Sequence, residues 1–149
     1  MRDARPAPKH VHARRQARSL ALQALYAWQL SGADPLDEAR SMEGYAKSEF
    51  LDGLLEGVRG RAAELQGVIA PHLDRDFARL SPVERAILYI GAFELAEHPQ
   101  TPFKVVLNEA IELGKSFGGA EGHRFVNGVL EKVAIALRPD EVAAARKPA

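Results

Sequence analysis

The chain has 149 residues, of which 46% are hydrophobic and 27% charged, and it contains no cysteine. This length and composition are typical of one folded domain and argue against a disordered chain. Without cysteine, disulfide bonds, thiolate catalysis and cysteine-ligated metals are excluded. The sequence shows neither a secretory leader nor an apolar run long enough to span a bilayer, so we expect a cytoplasmic protein.

Positive charge is concentrated at the start of the chain, although the formal net charge is zero. Residues 1–18 hold six basic residues and one acid, whereas the remainder holds 14 basic and 19 acidic residues. This asymmetry favours a basic arm for a polyanion joined to an acidic body, with a solubilising tail as the alternative. Two prolines near the start further predict a flexible arm over residues 1–12.

Helical periodicity begins after this arm. The first predicted helix covers about residues 12–30 and buries a stripe of small residues and a tryptophan. Asp34 and Pro35 then supply a cap and a first-turn proline for a short helix. A longer helix is predicted over residues 49–70, because apolar residues keep helical spacing throughout it.

The second half of the chain carries clearer start and stop signals. Ser81 can cap a helix to which Glu84 reaches back, and this helix is predicted to end near residue 97. The next helix opens at Thr101-Pro102 and ends near Phe117, before two glycines. A last helix runs to about residue 137, and residues 139–149 are predicted to form a flexible tail.

The fold class follows from the absence of strand signals. No segment alternates with the two-residue period of a strand, and no Asn-Gly or Asp-Gly hairpin occurs. The sequence therefore predicts one all-α domain over residues 13–138. We expect six or seven helices, packed as two small bundles that share a core.

Motifs that would indicate catalysis or phosphate binding are weak. Gly114-Lys115-Ser116 looks like the end of a phosphate-binding loop, but position 109 is Glu109 where that motif requires glycine. The glycine-rich link over residues 118–122 is typical of a helix cap and turn, with a phosphate cradle as the alternative. His10 and His12 lack an obvious third metal ligand. We therefore expect neither an enzyme nor a metal site.

The first helix is more informative because its basic residues share a face. Arg14, Arg15 and Arg18 fall within an arc of about 100°, next to Tyr26 and opposite the small-residue stripe. Guanidinium groups match phosphates and aromatic rings stack on unpaired bases, which favours RNA or single-stranded nucleic acid. A solvated face with Tyr26 half-buried is the alternative. An anionic membrane fits poorly, since the core needs the opposite face.

Several segments, in order along the chain, resemble the bacterial transcription antitermination NusB family. They lie at residues 14–18, 21–30, 81–88, 102–118 and 123–130. The most specific reads PFKVVLNEAIEL and begins at Pro102. The likeness extends over about residues 13–138 and implies an all-α fold of two packed helical bundles.

The resemblance implies a non-enzymatic RNA-binding factor without a cofactor. Its implied ligand is the boxA RNA of ribosomal RNA leader transcripts, and its implied partner is NusE, a small-subunit ribosomal protein. Together with other Nus factors, the pair helps RNA polymerase read through terminators. Some family members form homodimers that cover the RNA face. The alternatives are a protein scaffold with little RNA binding, or a module related to the N-terminal domain of ribosomal RNA cytosine methyltransferases.

The resemblance also implies individual site residues. Those for RNA are Arg14, Arg15, Arg18, Tyr26, His72, Glu121 and Phe125. Glu121 lies where an acidic residue restrains RNA affinity in relatives, and Phe125 has core packing as its alternative role. Glu84 and Phe103 are implied for the NusE surface, although Glu84 also suits a capping box.

Two further observations bear on the site. Gln16 interrupts the basic run where many relatives have another basic residue, which implies a lower affinity for RNA. Asn108, Glu109 and Asn127 belong to the most recognisable segments, but their expected role is structural, because polar side chains of adjacent helices can hydrogen-bond across a bundle.

Overall fold

The computed structural model describes residues 9–118 and 122–147, without the side chain of Lys9, and these residues form eight α-helices. They are α1 (Lys9–Ser31), α2 (Pro35–Arg40), α3 (Glu49–Gly60), α4 (Ala62–Ile69), α5 (Pro82–Glu97), α6 (Phe103–Phe117), α7 (Gly122–Leu137) and α8 (Pro139–Arg146). Short 3-10 turns at Ala70–His72 and Phe77–Arg79 separate α4 from α5. No strand occurs in this part of the chain, which confirms the all-α class. None of its helices is long and apolar enough to cross a membrane.

Helix α5 lies at the centre of the fold. Its residues 86–95 are all buried, so neighbouring helices enclose it on every side. It contacts α1, α3 and α4 in the first half of the chain, and α6 and α7 in the second half. Because α1, α2 and α3 contact one another and α6 packs on α7, two helix groups share one core at α5.

The start of α5 confirms the capping box predicted from the sequence. The Glu84 backbone N–H donates to Ser81 Oγ at 3.1 Å, and the Ser81 backbone N–H donates to Glu84 Oε1 at 3.1 Å. Each bond satisfies an amide that the first helical turn leaves without an intrahelical partner. The predicted bounds of α6 are confirmed as well, since it runs from Phe103 to Phe117.

The single helix predicted over residues 49–70 is wrong in one respect. The helical path breaks at Arg61, whose φ and ψ are −120° and 24°, so α3 and α4 are separate helices. The Arg61 side chain binds Glu64 and also reaches Glu97 at the end of α5. Periodicity did not reveal the break, because apolar residues on both sides of it, Val58 and Leu65, are buried in the same core.

The first helix is longer than its pattern predicts. It begins at Lys9, so residues 9–12 of the predicted arm are helical, and residues 1–8 lie outside the described residues. At the other end, Gly32 adopts a φ of 75° and its N–H donates to the Trp28 carbonyl at 2.9 Å. This left-handed residue is the expected glycine stop after a helix.

The tail predicted from residue 139 is wrong for Pro139–Arg146, which form α8. Val142 of α8 is buried in the core. Arg138, just before it, donates to the carbonyl groups of Glu94, Leu95, His98 and Thr101 at 2.6–3.0 Å. A buried guanidinium therefore binds the carbonyl groups that have no helical partner at the end of α5, and it fixes α8 against that end. Local composition does not reveal such a long-range contact.

Candidate nucleic-acid interface

The three arginines of α1 occupy different environments. The Arg15 side chain is 53% exposed, and Arg14 is half-buried with its guanidinium 4.8 Å from the Phe50 ring centroid. Arg18 is only 3% exposed. The prediction that all three share an exposed face is therefore correct for Arg15, partly correct for Arg14 and wrong for Arg18.

Arg18 is held by a buried acid from the central helix. Its Nε and Nη2 atoms donate to the two carboxylate oxygens of Glu94, each at 2.8 Å. Burial on its own would raise the pKa of Glu94, but the hydrogen bonds and positive charge of Arg18, together with nearby His98, hold that pKa below its usual range. This two-pronged pair fixes α1 against α5 and leaves no donor edge of Arg18 facing solvent.

The burial of Arg18 has a geometrical cause. Leu22 and Leu25 are buried on the same side of α1, so the apolar arc is wider than the stripe of small residues suggests. Helices α2, α3, α5 and α6 all contact α1, which leaves only a narrow exposed strip. Arg18 falls inside the enclosed arc and is a positioning residue rather than a surface contact.

Arg15 lies at a groove between α1 and α6. Its Nε donates to Glu109 Oε1 at 3.0 Å, and Glu109 is buried beneath it. The groove has a volume of about 230 Å³, and Ser19, Ser116 and Phe117 also line it. A guanidinium and two hydroxyls at the rim of an open groove are suitable donors for phosphate oxygens.

Tyr26 lies at a neighbouring groove that shares a wall with the first. Phe117, which is 36% exposed, lines both grooves, and Tyr26 is 40% exposed. We call Arg15, Ser19, Tyr26, Ser116 and Phe117 the arginine–aromatic surface. It combines a cation, hydroxyl donors and two accessible rings, which is the chemistry that binds single-stranded nucleic acid.

Phe117 was missed by sequence reasoning. The sequence marks it only as the last residue of a predicted helix and as part of the segment over residues 102–118 that resembles the family. No sequence signal identifies it, because helical side chains tilt back over the preceding turn and Phe117 keeps the spacing of the buried residues Leu113 and Gly114.

A second group of residues lies around the 3-10 turn that follows α4. His72 is half-buried in the 3-10 turn at Ala70–His72, and that turn contacts α7. Phe125 of α7 is half-buried, and the Arg75 guanidinium lies 5.2 Å from its ring centroid. Arg75 Nε also donates to Asp74 Oδ1 at 2.7 Å. Arg75 thus already packs on Phe125, the ring implied for contact with RNA.

The remaining predicted residues have mixed outcomes. Glu84 is half-buried and occupied by its capping bonds. The prediction of Phe103 as a partner surface is wrong, because its side chain is 5% exposed and belongs to the core. Its backbone N–H donates to Glu141 of α8 at 2.7 Å, which ties the start of α6 to α8. Glu121 lies outside the described residues.

Comparison with known proteins identifies the family. A model of the NusB family matches residues 15–135. The transcription antitermination protein NusB of Dechloromonas aromatica (strain RCB) is 50% identical over 150 residues, covering 97% of this chain and 91% of the relative. The chain belongs to the NusB family. The NusB proteins among its relatives have a comparable length, so the likeness spans nearly the whole of both chains.

Solved structures of the family show the same architecture. T. maritima NusB superposes with a TM-score of 0.77 at 23% identity, covering 87% of this chain and 96% of the other, which shows the fold. A crystal structure of antitermination factors NusB and NusE in complex with dsRNA contains a chain with a TM-score of 0.76 and 28% identity. That match covers 84% of this chain and 98% of the other.

Proposed function

We propose that this protein is a non-enzymatic, cytoplasmic RNA-binding factor of transcription antitermination. In this role it binds the boxA RNA of ribosomal RNA leader transcripts together with NusE, and with other Nus factors it helps RNA polymerase read through terminators. Family membership supports this role, as does the related NusB that was crystallised with NusE and dsRNA. The observation that carries the proposal is the arginine–aromatic surface.

Each group on this surface has a distinct part in binding. The exposed guanidinium of Arg15 pairs with a phosphate, and Arg14 adds positive charge next to it. The rings of Tyr26 and Phe117 stack on unpaired bases, which requires accessible faces and no base-specific hydrogen bonds. Arg18 acts indirectly, because its pair with Glu94 sets the position of α1 on the core.

The other implied residues form the outer part of the proposal. Arg75 packs on Phe125, and the turn that holds His72 contacts the helix of Phe125, so this group offers a cation and two rings for additional RNA contacts. Glu84 lies at the start of α5, where it forms the capping box. We propose that it also contributes to the NusE surface. Glu121 restrains the affinity for RNA. A homodimer that covers the RNA-binding face is proposed to compete with RNA binding.

Binding of a boxA-type single-stranded RNA, measured by fluorescence anisotropy with and without NusE, tests the proposal. The variant Arg15→Ala is compared with Arg146→Ala, because both arginines are about half exposed and each pairs with one glutamate. We expect binding that is tighter with NusE and about tenfold weaker in Arg15→Ala, with little change in Arg146→Ala. Equal losses in both variants, or no binding in any mixture, would refute the proposed role.

A further inference from the structure

Arg15, the exposed cation of the arginine–aromatic surface, is held by an acid of the same chain. Glu109 Oε1 accepts a hydrogen bond from Arg15 Nε at 3.0 Å. The Glu109 side chain is 10% exposed, whereas the Arg15 side chain is 53% exposed. The carboxylate is therefore fixed within the fold while the guanidinium that it binds lies at the surface.

Glu109 is not the principal partner of the buried arginine beside it. Arg18 makes its two bonds of 2.8 Å with Glu94, and Arg18 Nη1 lies 3.9 Å from Glu109 Oε2. The closer contact of Glu109 is thus the one to Arg15. Removing the charge of Glu109 would leave Arg18 with both of its bonds to Glu94.

We propose that Glu109 determines the RNA affinity of this surface, because its carboxylate competes with an RNA phosphate for Arg15. The inference rests on the proposed function. Carboxylate and phosphate oxygens bind a guanidinium in the same way, and the Nε–H of Arg15 has room for one such partner. A phosphate that binds the Nε edge of Arg15 therefore displaces Glu109, and the gain in affinity from Arg15 is reduced by the contact that it gives up.

The competition predicts a gain in affinity when the acid is neutralised. Glu109→Gln keeps the size of the side chain and removes its charge. We expect this variant to bind the boxA-type RNA about three- to tenfold more tightly, which is the range for a partly exposed ion pair with charged hydrogen bonds. In an Arg15→Ala background the same substitution should have no such effect, since the contested guanidinium is gone.

Glu112→Gln provides a matched control for the loss of one negative charge. Glu112 lies on the same helix and lines the same groove, but it is 57% exposed and pairs with Lys115 at 3.8 Å. We expect it to raise affinity less than Glu109→Gln does, and by the same factor with and without Arg15. Circular dichroism and thermal unfolding of each variant establish that it is folded before its affinity is compared.

A measurement on the unmodified protein keeps the test decisive if Glu109→Gln fails to fold. The Nε–H resonance of Arg15 can be assigned in ¹⁵N-labelled protein by its loss in Arg15→Lys. Saturating RNA should shift this resonance, while the Nε–H resonance of Arg18, bound to Glu94, stays in place. An Arg15 resonance that does not move would overturn the inference.

The two failures are distinguishable. If the unmodified protein does not bind the RNA, the proposed function fails and this inference fails with it. If the protein binds but Glu109→Gln weakens binding through Arg15, then Glu109 orients the guanidinium rather than competing for it, and this inference alone is overturned. An equal gain from Glu109→Gln and Glu112→Gln in both backgrounds overturns it as well.

Discussion

Arg15 and Arg18 lie three residues apart on α1, but their surroundings have opposite characters. Around Arg18, the carboxylate of Glu94 and the ring of Phe50 enclose the guanidinium, which is 3% exposed. Around Arg15, the side chain is 53% exposed above Glu109 and lines an open groove. We call Arg18 with Glu94 and Phe50 the inner region, and the arginine–aromatic surface with Glu109 the outer region. Arginine therefore stabilises the fold in the inner region and offers a ligand contact in the outer region.

The comparison separates two properties that the sequence pattern merges. In the inner region, both charges of a pair are removed from water, so losing one partner leaves an uncompensated charge in the core. In the outer region, water solvates the exposed guanidinium of Arg15, and the buried Glu109 beneath it keeps Arg18 Nη1 at 3.9 Å. Losing Arg15 should therefore cost less stability than losing Arg18 and mainly affect binding. Variants of the inner region should mainly lower the free energy of unfolding, and variants of the outer region should mainly change the affinity for RNA.

Truncation of the inner arginine should have the largest effect. Arg18→Ala leaves Glu94 buried without its partner and is expected to lower the free energy of unfolding by about 3–5 kcal/mol. Arg15→Ala is the control and should lower it by less, because Arg15 is half exposed and Glu109 keeps Arg18 at 3.9 Å. Urea denaturation of both variants measures the difference. Similar losses in the two variants would contradict the distinction between the regions.

A second variant of the inner region sharpens this prediction. Replacing both partners, as in Arg18→Met with Glu94→Leu, removes the buried charges together. The double variant should be more stable than Arg18→Ala, because the cost of the single change comes from the carboxylate left behind. A double variant as unstable as the single one would show that packing of the side chains, rather than charge, holds α1 on α5.

Low pH should also destabilise the protein through the inner region, but by less than Arg18→Ala does. The folded-state pKa of Glu94 lies below the ordinary value of 4.5, because Arg18 and His98 outweigh the effect of burial. A depressed pKa contributes stability above the unfolded pKa, and this contribution is lost as the pH falls through the folded value. The loss is set by this pKa difference, because both side chains stay in place when the carboxyl takes up a proton, and it should be smaller than the loss in Arg18→Ala.

Denaturant unfolding across the acid range measures this effect. Glu94→Gln should show a flatter dependence on pH than the unmodified protein below about pH 4.5, the ordinary value for this group. Other acids with lowered pKa values, Glu64, Asp74 and Glu141, remain in both proteins and contribute the same background slope. Parallel curves would mean that the Arg18 pair does not govern acid stability.

Aromatic residues of the outer region should affect binding without affecting stability. Tyr26→Ala is expected to weaken RNA binding by about tenfold, because stacking contributes about 1–3 kcal/mol for each base. Tyr26→Phe keeps the ring and should bind nearly as well as the unmodified protein. Anisotropy measures the affinities, and thermal unfolding should show similar stability for all three proteins. Equal losses in the two variants would assign the contribution to the hydroxyl instead.

Local signals account for the parts of the fold that the sequence predicted well. The capping box at Ser81 and the glycines after Phe117 act within one helical turn, so neighbouring residues are enough to identify them. The break at Arg61 and helix α8 were not predictable in this way. Arg61 reaches Glu97 on another helix, and α8 depends on Arg138 binding the end of α5.

The residues of the candidate site were predicted from the sequence only in part. A helical projection places Arg15 and Tyr26 correctly, since both lie on the exposed strip of α1. It misplaces Arg18, because a projection treats every arginine as polar and does not include Glu94, which is 76 residues away in sequence. Phe103 was misplaced for a similar reason, since its side chain is buried in a core built from residues distant in sequence, and Glu141 of the unpredicted α8 binds its backbone N–H.

The salt dependence of binding should show the smallest difference between variants, but it identifies the charged contact directly. If about four phosphates are neutralised, affinity should fall by about one to two decades between about 50 and 200 mM salt. Arg15→Ala removes one phosphate contact and should lower the logarithmic slope by about 0.7, the value for one phosphate of a single strand.

Tyr26→Ala provides the control for this slope. Its loss of affinity comes from stacking, which releases no counterions, so its slope should equal that of the unmodified protein. Anisotropy titrations at several salt concentrations give the three slopes. If Arg15→Ala keeps the original slope, Arg15 does not pair with a phosphate, and the outer region would bind RNA through its rings and hydroxyls rather than through its exposed guanidinium.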